Sequence, residues 1–176
     1  SIAIDESPLF ASLRGKRICI TGAAGSIGSE LARQVFKYQP KEVVILDQAE
    51  SGLYELEREL TEKSFATPTY FYLADIRDEQ RIQTILKEHR PEILLHGAAY
   101  KHVPLVESNP SEAIKTNILG TKILADLALK FSVERFVMIS TDKAVNLTNV
   151  MGCSKRIAEI YVQALNTHLE LIGNHT

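Results

Sequence analysis

The 176-residue chain is long enough for one domain with its own hydrophobic core, and 45% of its residues are hydrophobic. Its formal net charge of -2 gives no broad basic surface, which argues against nucleic acid as the main partner. The two cysteines and five histidines are too scattered to predict a disulfide framework or a metal site, so we expect a reducing, cytoplasmic setting.

Apolar runs of strand length alternate with segments of helical periodicity along the chain. Strands are expected at residues 17–20, 42–46, 69–73, 93–96 and 135–140. A helix follows the first strand, and others are expected at 51–63, 78–89, 110–131 and 150–169, with loops at 98–109 and 142–149. This alternation predicts an α/β fold, a doubly wound parallel sheet of the Rossmann type. We assign residues 15–176 to this domain and residues 1–14 to an N-terminal extension.

A glycine-rich loop joins the first strand to the first helix. Gly22, Gly25 and Gly28 form a dinucleotide fingerprint with one extra residue between the first two glycines. Gly22 permits a tight turn, Gly25 lets the backbone approach a pyrophosphate, and Gly28 lets the helix pack closely. Ser26 and Ile27 begin the helix, whose N-terminus favours phosphate. The loop predicts NAD(P) binding; the alternative is an ordinary glycine-rich turn.

Acidic residues follow the second and third strands. Asp47 ends the second strand, where a carboxylate typically binds the adenosine ribose and repels the 2′-phosphate of NADP. We therefore expect NAD rather than NADP, although Asp47 could instead cap the next helix. Asp75 and Ile76 are expected to flank the adenine, and the alternative for Asp75 is a helix start.

Five segments together resemble one family. They are TGAAGSIG at 21–28, HGAAYKHVP at 96–104, TNILGT at 116–121, STDK at 140–143 and MGCSK at 151–155. The first is the extended short-chain dehydrogenase/reductase form of the glycine loop, and the last stands where that superfamily has Tyr-x-x-x-Lys. Over about residues 14–168 the chain resembles the polysaccharide-biosynthesis (CapD-like) family of UDP-N-acetylglucosamine 4,6-dehydratases.

The resemblance implies roles for five residues in a reaction that moves a hydride from C4 to C6 of the sugar. Thr141 would bind the C4 hydroxyl, Asp142 would protonate the departing water, and Lys143 would be the C5 base. Lys155 would bind the nicotinamide ribose. Met151 takes the usual tyrosine's place, as in membrane-associated members of the family, and the proton acceptor at C4 stays open.

Each of these residues has a plainer interpretation. Asp142 and Lys143 could be a solvated ion pair. Met151 and Lys155 share a helix face, where the first could be core and the second a surface charge. Asn117 could bond only to the backbone of a neighbouring strand.

The resemblance also implies cofactor contacts from the loop after the fourth strand and from the long helix. These residues are Ala98, Ala99, Tyr100, Lys101 and Asn117. Family members continue beyond this region and close over the nucleotide sugar, and the larger ones begin with a transmembrane region. The resemblance therefore implies the cofactor half of a longer enzyme, inactive by itself and held at the cytoplasmic side of the inner membrane.

Two kinds of partner are expected. One is a UDP-sugar, by resemblance to the family. The other is a second copy of the chain, paired through the helices at 110–131 and 150–169, which carry more apolar residues than one sheet-facing stripe needs. Those residues are Ile118, Ile123, Leu124, Leu127, Ile157, Ile160, Tyr161 and Leu165. The alternatives to a dehydratase are an NAD(P) sensor without chemistry and another nucleotide-sugar epimerase or reductase.

Overall fold

The computed structural model describes residues 6–100, 102–140 and 149–173, and it shows one parallel five-stranded sheet in the order β3-β2-β1-β4-β5. The strands are β1 (Arg17–Thr21), β2 (Glu42–Asp47), β3 (Thr69–Leu73), β4 (Ile93–His96) and β5 (Arg135–Met138). The predicted doubly wound α/β fold is confirmed. The fifth strand is two residues shorter than predicted, since its pairing with β4 ends where His96 lies opposite Met138.

The helices lie on both sides of the sheet and produce two cores. Ile20 and Ile45 face one core, under the first helices, while Cys19 and Leu94 face the other. Because helices cover both faces of the sheet, the sequences of the central strands are apolar at nearly every position. Full burial of such side chains contributes about 1.5–3 kcal/mol each.

Eight α-helices are present in the described ranges. They are α1 (Ser7–Leu13), α2 (Ser26–Val35), α3 (Glu50–Glu62), α4 (Glu79–His89), α5 (Val103–Ser108), α6 (Pro110–Ala113), α7 (Thr121–Lys130) and α8 (Val150–Gly173). The expected loop at 98–109 is wrong in part, because α5 forms there with Pro104 in its first turn, where a missing N–H costs nothing. Within the described ranges, no helix combines the length and apolar character needed to cross a bilayer.

The predicted helix at 110–131 is interrupted by a π-helical segment. This segment (Ile114–Gly120) joins α6 to α7 without leaving the helical path. Its wider turn buries Thr116 and Asn117, while an added Cβ at Gly120 would lie 2.5 Å from the Cδ1 of Ile76. π-helical turns occur frequently at functional sites.

The predicted apolar surplus of the two long helices is smaller than expected. Leu124 and Leu127 are buried in the second core, so these two residues belong to the sheet-facing stripe and not to the surplus. Ile157 and Ile160 on α8 are about half exposed, at 49% and 50%. A contact between copies through these helices would use exposed residues such as Ile157 and Ile160 rather than the buried face of α7.

Candidate functional site

A cleft of about 690 Å³ runs along the carboxyl edge of the sheet. Thr21 lies opposite Leu46 of β2 and His96 of β4, so the loops that leave these three strands meet there. This is the topological switch point, where ligands of such sheets bind. The strand order places Asp47, Ala74 and Ile76 at one end, the glycine loop in the middle, and Tyr100, Ile139, Ser140, Met151 and Lys155 at the other end.

The three glycines of the loop are required for different reasons. Gly22 has φ of +70°, and an added Cβ would lie 2.3 Å from the amide nitrogen of Ala98. An added Cβ at Gly28 would lie 2.1 Å from the carbonyl oxygen of Gly22, so α2 packs directly on the turn. An added Cβ at Gly25 would lie 3.3 Å from the Gly22 carbonyl oxygen, its nearest neighbour. Gly22 and Gly28 therefore maintain the backbone, while Gly25 leaves space on the cleft side.

The N-terminus of α2 borders the cleft. Gly25 is its N-cap residue, and Ser26, Ile27 and Gly28 form its first turn along the cleft wall. Amides at a helix N-terminus carry a partial positive charge toward whatever lies before them. The middle of the cleft is thus suited to an anion such as a pyrophosphate.

Asp47 holds the second loop against the first. Its Oδ2 accepts a hydrogen bond from the Ala24 amide at 2.9 Å, and its Oδ1 accepts one from the Ala49 amide at 2.8 Å. The N-cap residue of α3 is Ala49 and not Asp47. The interpretation of Asp47 as a helix cap is therefore confirmed only in that its side chain bonds to the amide of the N-cap residue. The carboxylate also borders the cleft, where it presents a negative charge.

Asp75 and Ile76, which are both predicted to flank the adenine, differ in their position relative to the cleft. Ile76 borders the cleft, but Asp75 lies outside the lining formed by the described residues. The Asp75 carboxylate accepts hydrogen bonds from the Arg77 amide and from the Arg77 guanidinium. The same guanidinium also donates to the Glu112 carboxylate. Burial opposes ionisation, but these bonds outweigh it and lower the pKa of Asp75. Nor does Asp75 begin α4, because Asp78 is its N-cap and accepts from the Arg81 amide.

Asn117 fixes the loop after β4. Its Oδ1 accepts from the Tyr100 amide at 2.8 Å, and its Nδ2 donates to the Tyr100 carbonyl at 3.2 Å and to Ser154 Oγ at 2.9 Å. As far as the chain is described, the lining includes Ala98, Ala99 and Tyr100 but not Asn117. Asn117 therefore positions the cleft wall. The interpretation that it bonds only to strand backbone is wrong, because its partners are the loop backbone at Tyr100 and the Ser154 side chain. Lys101 lies outside the described residues.

Met151 and Lys155 enter the cleft from one face of α8. Lys155 is 7% exposed, so the surface-charge interpretation is wrong, and its Nζ donates to the Ile139 carbonyl at 3.3 Å. Burial lowers the pKa of Lys155, and the carboxylate of Glu159 opposes that effect. Met151 is fully buried in a cluster with Val106, which confirms the interpretation that it is a core residue. It also borders the cleft.

A buried chain of hydrogen bonds around His96 was not predicted. The Thr121 hydroxyl donates to the Asn117 carbonyl at 2.8 Å, so it accepts from His96 Nε2 at 2.9 Å. His96 Nδ1 then accepts from the Thr21 hydroxyl at 2.8 Å, which requires a neutral ring with its proton on Nε2. Burial, helped by the charge on Lys155, lowers the pKa of His96 to about 3. The chain ties β1 and β4 to the helical segment that carries Asn117.

Thr141, Asp142 and Lys143, to which the resemblance gives the acid–base chemistry, lie outside the described residues. Ile139 and Ser140, which precede them, border the cleft. The Ser140 hydroxyl donates to Glu159 of α8, and Arg156 pairs with the same carboxylate. Burial opposes ionisation of Glu159, but these two hydrogen bonds lower its pKa below the usual value.

Comparisons with known proteins show the family and the fold of the chain. The family described as "Polysaccharide biosynthesis protein" matches residues 18–173. The chain is 46% identical to the capsular polysaccharide biosynthesis protein CapD of Staphylococcus aureus, over 94% of this chain and 28% of that protein. It is 32% identical to a UDP-N-acetylglucosamine 4,6-dehydratase (inverting) of Campylobacter jejuni, over 86% of this chain and 44% of that protein.

A solved structure shares the fold. Pen from Bacillus thuringiensis superposes with a TM-score of 0.80 at 30% identity, over 86% of this chain and 46% of that one. The chain thus spans less than half of each of these three proteins.

Proposed function

The chain belongs to the polysaccharide biosynthesis protein family, and we propose that it is the NAD(P)-binding part of a nucleotide-sugar 4,6-dehydratase. The proposed substrate is UDP-N-acetylglucosamine, and the proposed role is synthesis of capsule or another surface polysaccharide. The observation that carries the proposal is the cleft itself, which joins a glycine loop, a helix N-terminus and a buried lysine at one sheet edge.

The described residues fit a dinucleotide. A volume of about 690 Å³ lies in the range of sites that enclose small ligands. The adenosine half would lie between Asp47 and Ile76, and the pyrophosphate would cross Gly25 at the N-terminus of α2. This order supports residues 15–176 as the cofactor-binding unit.

The other end of the cleft would hold the reacting half of the cofactor and the sugar. NAD(P), when bound, supplies a reversible hydride acceptor. Lys155 would donate to ribose hydroxyls, and its positive charge would favour the neutral form of a second amine nearby. Lys143 would then be able to accept the C5 proton, while Asp142 protonates the departing hydroxyl. Met151 holds no exchangeable proton, so its contribution is to exclude water.

A non-catalytic NAD(P) sensor is the alternative of a different class. It would explain the absence of the superfamily tyrosine, which Met151 replaces. It would not explain why Thr141, Asp142 and Lys143 are all present in the sequence. A plain carbonyl reductase is disfavoured, because that chemistry relies on the tyrosine proton.

An isotope experiment separates these functions. UDP-N-acetylglucosamine deuterated at C4 is incubated with NAD and the longest gene product that contains this sequence, and the sugar is analysed by mass spectrometry and NMR. A dehydratase moves the deuterium from C4 to C6 and releases water. Deuterium returned to C4 with inverted configuration would identify an epimerase, and unchanged sugar would support the sensor. Asp142→Asn, which retains the size of the side chain, is the matched control and should abolish the loss of water.

A further inference from the structure

Lys155 is a buried amine whose surroundings work against its charge. Lysine is almost never buried without a charged partner, and this one is 7% exposed. Its Nζ donates to the Ile139 carbonyl at 3.3 Å, which is a neutral acceptor. Burial lowers the pKa of Lys155, and the Glu159 carboxylate opposes that effect. The neighbours of Lys155 therefore decide both where the amine lies and whether it is charged.

Glu159 is joined to Lys155 by a closed path between α8 and the chain that follows β5. The Glu159 carboxylate accepts a hydrogen bond from the Ser140 hydroxyl, and such bonds to a charged acceptor are strong. Ser140 is the next residue after Ile139, whose carbonyl accepts from Lys155. Lys155 and Glu159 are four residues apart on α8, so they share a helix face. Glu159 thus holds the backbone to which the amine is bonded.

The other charged groups around α8 have partners of their own. Helices α5, α6 and α7 and the π-helical segment all pack against α8. Their charged side chains bond as follows: Glu107 with the Val150 amide, Glu112 with Arg77 and Lys115, and Asp126 with Lys122 and Tyr161. On the sheet side His96 is neutral, and on α8 itself Arg156 pairs with Glu159 at 3.0 Å. In the part of the chain that the structure describes, Glu159 is therefore the acid that acts on Lys155.

We propose that Glu159 is a positioning residue for Lys155, which fixes the acceptor of the amine through Ser140 and keeps the amine protonated through its own negative charge. This inference rests on the proposed cofactor function, in which a charged Lys155 donates to ribose hydroxyls. Glu159 lies outside the cleft lining that the described residues form, so it acts through Lys155 and not on the ligand. The two routes are separable, because one needs the Ser140 hydroxyl and the other needs only the charge.

Two substitutions remove these routes one at a time. Glu159→Gln retains the size and an acceptor for Ser140 but removes the charge, whereas Ser140→Ala retains the charge and removes the hydrogen bond. NMR of the lysine ¹³Cε signals measures the pKa of Lys155 in the unbound proteins, and Lys155→Arg assigns the signal. We expect Glu159→Gln to lower that pKa by about half a pH unit or more. Ser140→Ala should leave it equal or higher, because the released carboxylate can turn toward the amine.

Calorimetric titration over a range of pH connects these changes to binding. NAD is compared with ADP, which lacks the nicotinamide riboside. NAD affinity should fall as Lys155 loses its proton, and in Glu159→Gln this fall should begin at a lower pH than in the wild type. Ser140→Ala should bind NAD about two- to tenfold more weakly at every pH, the effect of one hydrogen bond. ADP binding should show neither change.

Arg156→Gln is the matched control, since it removes the opposite charge from the same ion pair. The pKa of Lys155 should then stay the same or rise. The inference is overturned if Glu159→Gln leaves the pKa of Lys155 unchanged, if Arg156→Gln lowers it, or if Ser140→Ala binds NAD as tightly as the wild type. If the wild type binds neither ADP nor NAD, the proposed function itself fails, while the NMR titration still tests the effect of Glu159 on Lys155.

Discussion

Two glycine-to-alanine substitutions in one loop should separate the stability of the fold from the affinity for NAD. In Gly28→Ala the new Cβ would lie 2.1 Å from the Gly22 carbonyl oxygen and 2.7 Å from its carbonyl carbon. Both neighbours are backbone, so relief requires α2 to move away from the turn. Overpacking of this kind costs about 1–3 kcal/mol, which would lower the melting temperature by roughly 2–12 °C for a chain of this length.

Gly25→Ala is the matched partner of that substitution. The added Cβ would meet the Gly22 carbonyl oxygen at 3.3 Å, and the backbone at φ −75°, ψ 162° suits alanine. Stability should change by less than about 0.5 kcal/mol. The methyl group would occupy the surface over which the pyrophosphate is proposed to pass, so NAD affinity should fall by roughly tenfold or more, about 1.4 kcal/mol.

Thermal melting and titration calorimetry on both variants provide the assay. Chemical denaturation of the unbound proteins gives the free energies of unfolding directly. A Gly25→Ala protein that binds NAD as tightly as the wild type would refute the proposed path of the pyrophosphate. A Gly28→Ala protein with wild-type stability would refute the argument from close packing of α2.

Three further predictions concern charge, protonation and assembly. NAD should bind more tightly than NADP in parallel titrations, because the Asp47 carboxylate borders the cleft; tighter NADP binding would show that this charge does not face the 2′-phosphate. Since burial lowers the pKa of His96 from 6.5 to about 3, the unfolded chain binds a proton in that interval which the folded chain does not. As the pH falls below about 6.5, His96 should therefore lower the free energy of unfolding by up to ~1.4 kcal/mol for each pH unit. At pH 5, ¹⁵N NMR should still show a neutral ring that is protonated at Nε2. A charged ring would contradict the hydrogen-bond chain. If copies pair through α8, Ile157→Lys and Ile160→Lys should convert a dimer seen by light scattering to a monomer, whereas a wild type that is monomeric at high concentration would exclude this interface.

The periodicity of the sequence was sufficient to predict the sheet. The apolar run at residues 93–96, for example, lies between Pro91 and Gly97, so the limits of the strand could be predicted from the sequence. Helix α5 was missed because it has six residues and contains Pro104, which was interpreted as part of a loop. Helix α1 was missed because Ser7–Leu13 carries too short an apolar pattern to separate a helix from a tail.

The parts of the site whose residues lie in one short segment of the chain could be predicted from the sequence. The parts whose residues come from several distant segments could not. The glycine loop and the Met151–Lys155 pair each belong to one stretch of chain. Spacing predicted the role of the glycine loop, and the family resemblance implied that of Met151 and Lys155. The His96 chain joins residues 75 and 25 positions apart, which become neighbours only through the strand order. The π-helical register likewise has no sequence signature, because it depends on how Thr116 and Asn117 pack against other elements.

NMR titration of the ¹⁵N-labelled chain with NAD tests the cofactor assignment most directly. At 19.6 kDa the protein suits amide-resolved spectra. We predict that the amides of Gly22, Gly25 and Ile27 shift together with those of Ala49 and Tyr100, which traces the ligand from one end of the cleft to the other. Saturating NAD that leaves these amides unchanged, or that shifts instead the exposed amides of α8 around Ile157, would contradict the account.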